Sequence, residues 1–147
     1  MKTLDRSPFR SECQGIVIPA HPGFDLPATE YREAHRFWSR ETQQKIAEDG
    51  AVGPIKRGRH YVTFFATGRD WVRNLNVAVR LLETHEVSGI AIGVDRLYDE
   101  GQIRDVLGGS QACEGRSIEI CQGASSRRPP RTPEEVVEQF RQGRGHV

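Results

Sequence analysis

Apolar positions along the chain follow two periods. Short runs or strict alternation mark strands: Gly15-Ile16-Val17-Ile18, stopped by Pro19-Ala20-His21-Pro22-Gly23; Tyr61-Val62-Thr63-Phe64-Phe65, between Gly58 and Gly68; Ile90 to Val94, ending at Asp95; and Ser117-Ile118-Glu119-Ile120-Cys121. The second of these is rich in β-branched and aromatic residues, which suit a buried strand. Helical spacing of Trp71, Val72, Leu75, Ala78, Val79 and Leu82 predicts an amphipathic helix reaching about Glu86, with Arg73, Asn76, Arg80 and Glu83 outward. A second helix is expected over Arg40 to Asp49, with Ser39 as its N-cap and Gly50 as its C′ residue. A third should start at Thr132-Pro133-Glu134-Glu135 and dock through Val136, Val137 and Phe140.

Between these elements the chain reads as connection. Residues 1–12 are expected to be irregular, Phe37-Trp38-Ser39 a very short strand, and 51–56 a loop around Gly53-Pro54. Leu97 to Gly101 reads as a turn, and Arg127-Arg128-Pro129-Pro130-Arg131 as an extended exit. Strands and helices thus alternate in an α+β pattern. At 147 residues the chain is expected to form one domain, with a core over about 10–140 and flexible ends.

Composition narrows the function classes. The hydrophobic fraction is 36% and the net charge only +1, which disfavours a general nucleic-acid coat but leaves local basic patches at Lys56, Arg57 and Arg59 and at Arg127, Arg128 and Arg131. Cys13, Cys113 and Cys121 lack short-range pairing and read as reduced thiols, and the scattered histidines give no metal-ligand spacing. The N-terminus carries no apolar leader and no stretch is long enough to span a membrane, so a cytoplasmic location is expected.

No P-loop, dinucleotide glycine fingerprint, zinc-protease or nucleophile-elbow motif is present. Single residues therefore carry the candidate chemistry. Arg59 heads a buried strand, where a guanidinium anchored by core packing suits a phosphate, whereas Arg57 further out reads as solvated. His60 fits either a general base or a structural histidine. Glu119 fits a buried or a site carboxylate, and Asp95 a turn or a ligand contact.

Taken in order, several blocks resemble the ADP-ribosyltransferase-like lobe of the RNA 2′-phosphotransferases. They are Arg10-Ser11-Glu12-Cys13-Gln14-Gly15-Ile16, Phe37-Trp38-Ser39, Asp49-Gly50, Arg59-His60-Tyr61-Val62-Thr63, Val79-Arg80, Ile90 to Gly101, Gly115 to Glu119 and Arg128-Pro129-Pro130. The resemblance implies a small split β-sheet with helices and NAD as cofactor. It implies Arg59, Arg80 and Glu119 as catalytic residues, and Ser39, Tyr61 and Thr63 beside the dinucleotide. It further implies Arg10 and Arg59 on the substrate phosphate, and RNA or a phosphorylated nucleotide as partner. Ile16 stands where the family has its catalytic histidine, and Trp38-Ser39-Arg40 where it has His-Gly-Thr. Three functions follow as expectations: an NAD-dependent transferase or glycohydrolase, an RNA 2′-phosphotransferase with a reworked site, and a non-catalytic module binding RNA ends, a phosphorylated nucleotide or a protein.

Overall fold

The run Gly15–Ala20 is buried at every position, so both of its faces must be covered. A central strand of a parallel sheet meets that demand. The structure, a computed structural model, describes residues 1–20, 31–94 and 100–122. In chain order its strands are β1 (Lys2–Leu4), β2 (Gly15–Ala20), β3 (Ala51–Arg57), β4 (His60–Ala66), β5 (Gly89–Gly93) and β6 (Ser117–Cys121). The helices are α1 (Arg40–Asp49), α2 (Trp71–Leu81) and α3 (Glu100–Gly108). The strands form one six-stranded sheet in the order β1-β6-β5-β2-β4-β3. Every neighbouring pair is parallel except β3 with β4.

Alternation along each strand sorts side chains onto two faces. On one, Ile16, Ile18, Val62 and Phe64 pack beneath Ala34, Phe37 and Ile46, so the segment after β2 (a 3-10 stretch Arg32–Phe37, then α1) covers this face. On the other, Val17, Phe65, Ile90, Ile92, Ile118 and Ile120 pack beneath Leu75, Ala78 and Val79 of α2 and Ile103 and Leu107 of α3. This is a mixed, helix-covered sheet, α+β in that coarse sense. It is continuous rather than split, because β2 pairs with β4 along its whole length and with β5 on its other side.

Several local expectations change. The stretch expected as a loop at 51–56 is β3, held by pairing with β4 and irregular between Val52 and Ile55, where Gly53-Pro54 interrupts the ladder. Within the irregular 1–12 region, Lys2–Leu4 pairs with β6 and Pro8–Arg10 makes a 3-10 turn. Phe37 ends a 3-10 stretch instead of starting a strand, and Ser39 caps α1 through its Oγ, which accepts from Thr42 N–H at 3.1 Å. The amphipathic helix stops at Leu81, short of Glu86. Glu100 and Gly101, expected to close a turn begun at Leu97, instead open α3, whose Ile103, Val106 and Leu107 share one face at helical spacing; 97–99 lie outside the described residues. Asp95, the arginine-proline exit and the helix expected from Thr132 lie outside the described residues.

Gly50 gives a sharp test of this packing. It ends α1 at φ +79°, and a Cβ there would lie 2.2 Å from Asn74 Oδ1. Asn74 is itself buried and donates to Ala66 O at 3.0 Å. Gly58, at φ +59°, has open space around it. Gly58→Ala should therefore cost only the left-handed backbone penalty of ~1–2 kcal/mol, and Gly50→Ala should cost clearly more in urea denaturation. Equal costs would show that Asn74 gives way without loss.

Candidate functional site

Two ends of the sheet have to be weighed separately. At the amino ends of the parallel strands, Arg59 and Glu119 meet around Ser11, which is fully buried. Arg59 Nη2 donates to the Ser11 carbonyl at 3.0 Å, and Ser11 Oγ donates to Glu119 Oε2 while accepting from Cys13 N–H at 3.1 Å. Glu119 Oε1 accepts from Arg6 at 3.2 Å. The Glu119 side chain is 12% exposed and that of Arg6 42% exposed, so the carboxylate sits below the surface and its cation partner in solvent. Burial pushes the neighbouring Cys13 thiol up and the Cys121 thiol up to about 12, the Glu119 charge adding to both shifts, so both thiols stay protonated at neutral pH.

The other expected site residues do not join this cluster. Tyr61 and Thr63 point to the opposite face, where Tyr61 stacks against His85 at 4.9 Å and Thr63 is fully buried with its hydroxyl unpartnered. Arg80 is exposed on α2, which covers that same far face. Ser39 is occupied as the α1 cap, and Arg10 is exposed at the end of its 3-10 turn. His60 packs edge-on to Phe9 at 5.9 Å; burial and then the Arg59 charge lower its pKa, keeping the ring neutral at neutral pH.

At the carboxyl ends the sheet opens. Although β2 runs to Ala20, its pairing with β5 covers only Gly15 to Val17. The cause is in the sequence. Gln14 O accepts from Tyr61 N and Ala20 O from Thr67 N, so by alternation the even-numbered residues of β2 turn their amides to β4 and the odd-numbered ones to β5. Pro19 therefore faces β5 at the position where a further ladder bond would need an N–H, and proline has none.

The connections diverge at the same place. The next described elements after β2 (Arg32–Phe37 and α1) lie on one face, whereas α2 and α3, the next described helices after β4 and β5, lie on the other. Strands followed by elements on opposite faces mark the topological switch point of an open sheet, where ligands commonly bind. The rim is firmly held. Thr67 N–H donates to Ala20 O at 3.0 Å. The buried Tyr31 hydroxyl lies 2.9 Å from Val94 O and 3.1 Å from Cys121 O, its one proton shared between two carbonyls. Its ring lies over Gly93, where a Cβ would approach to 2.7 Å. Sequence reading singled out none of Tyr31, Thr67 or Val94; the available signal was Pro19, expected to stop the strand but in fact inside β2, which runs on to Ala20.

Comparison with protein-family models, curated proteins and solved structures finds no match. No described helix is long and apolar enough to cross a membrane.

The amino-end cluster predicts an asymmetry between two substitutions. Glu119→Ala leaves the buried Ser11 hydroxyl without its acceptor and should cost ~1–3 kcal/mol. Arg6→Ala removes a largely solvated partner and should cost under ~1 kcal/mol. Chemical denaturation of both variants checks the order, and a larger loss for Arg6→Ala would contradict it.

Proposed function

We propose that this protein binds a phosphorylated nucleotide, NAD or its ADP-ribose portion foremost, in the crevice at the carboxyl ends of β2 and β5. The observation that carries this reading is the divergence of the β2 and β5 connections at a point where the ladder has already parted. Ligands of open parallel sheets collect at such points. Phosphate is favoured because α2 follows β4 and α3 follows β5 in the chain, and a helix following a parallel strand starts near that strand's carboxyl end, where its amino end favours an anion. The dinucleotide glycine fingerprint is absent, so this reading does not rest on that loop.

A transferase reading, with the finer assignment of the fold as ADP-ribosyltransferase-like, keeps one supporting observation: Arg59 and Glu119 share Ser11. Against it, both groups are engaged in ties within the protein and Arg80 belongs to the other face. Binding without NAD cleavage is therefore the reading preferred here.

Calorimetric titration with ADP-ribose, NAD, AMP, adenosine and RNA bearing an internal 2′-phosphate separates the two. The binding reading expects saturable heat with ADP-ribose and NAD, less with AMP, none with adenosine, and no nicotinamide release from NAD. Nicotinamide release that Arg59→Lys abolishes would favour the transferase instead. Absence of heat with every nucleotide would overturn the proposal.

A further inference from the structure

A groove of about 450 Å³ runs between the start of α1 and the edge strand β3, with Arg36, Trp38, Ser39, Glu41, Lys45 and Arg57 in its wall. Its charges do not cancel. Lys45 Nζ lies 3.5 Å from Glu41, so that pair neutralises itself. Two guanidiniums remain, those of Arg36 and Arg57, both exposed. Arg57 Nη1 donates to the main-chain carbonyl of Arg36, and both residues line the groove. Among the described residues, no carboxylate pairs with either.

The remaining polar groups of the wall leave this bias unchanged. Ser39 Oγ is committed to the α1 cap, accepting from Thr42 N–H, so the helix end is not what an incoming anion would meet first. The Trp38 indole N–H has no acceptor but is itself buried, so it adds nothing at the groove surface. Arg36 and the N–H groups that Arg57 does not spend on the Arg36 carbonyl remain as donors, and both side chains are planar forks suited to a tetrahedral oxyanion. We infer that this groove is a second ligand site, taking the phosphate ester of a nucleotide or of a nucleic-acid strand between Arg36 and Arg57.

The site is separate from the crevice. Arg57 pairs with His60 at the start of β4, whereas the crevice lies beyond the other end of that strand, ~20 Å away at the usual rise per residue. Its success or failure is therefore independent of nucleotide binding at the strand ends.

Fluorescence anisotropy with a labelled, 5′-phosphorylated oligothymidylate tests it, alongside the same strand without the 5′-phosphate and AMP as competitor. The wild-type protein should bind the phosphorylated strand, and the double variant Arg36→Gln, Arg57→Gln should bind at least ~10-fold more weakly, as expected for losing charge-assisted contacts. Arg57→Lys should fall between the two, and Arg59→Gln should bind like wild type. Equal binding of the unphosphorylated strand would assign the recognised group to backbone diesters, and competition by AMP would assign it to a terminal monoester. Melting temperatures should be unchanged because both side chains are exposed. Failure of all three probes to bind, or binding that the double variant and Arg57→Lys both retain in full, would overturn the inference.

Discussion

Everything in this molecule depends on β2 being covered on both faces. Six consecutive buried residues commit the strand to the middle of the sheet, and parallel pairing on both sides forces its neighbours to be reached by long crossovers. Those crossovers supply the helices. The one after β2 has to lie on the face opposite those after β4 and β5, and the parting of connections at its carboxyl end follows from that arrangement. Pro19 adds a local reason for the sheet to open there, since it presents no N–H toward β5. Core packing and candidate site therefore share one origin.

The two ends of the sheet are held together differently. At the amino end, Ser11 serves as a hub that joins the chain ahead of β2, the Arg59 turn and Glu119. Its bonds are satisfied, and a satisfied buried network rigidifies rather than reacts. At the carboxyl end, only the rim is stapled, by Thr67 on Ala20 and Tyr31 on Val94 and Cys121. A fixed rim around a parted ladder would limit the entropy lost by the proposed ligand on binding there.

The sequence was most legible where burial alone decides the element. Runs such as Ile90 to Gly93 or Tyr61 to Phe65 can hardly be anything but core strands, and the Ser39 and Gly50 caps of α1 are local chemistry. β3 was hidden because Gly53-Pro54 reads as a break, while its pairing with β4 is a tertiary effect. β1, three residues long, exists only through its partner β6. In α3, Glu100-Gly101 looks like a turn until the apolar face of Ile103, Val106 and Leu107 is docked. For the candidate site, residue type drew attention to Arg59 and Glu119, which prove to meet through a serine, while strand order, which creates the crevice, is non-local and leaves no motif.

The central claim concerns where a nucleotide sits, so mapping its position tests the account most directly. Amide chemical shifts of the labelled protein should be followed as ADP-ribose is added. The account predicts that the largest changes cluster on Ala20, Tyr31, Thr67, Gly68 and Val94, with those of Ser11, Arg59 and Glu119 little affected. Changes confined to the Ser11 cluster at the opposite end of the sheet would contradict it.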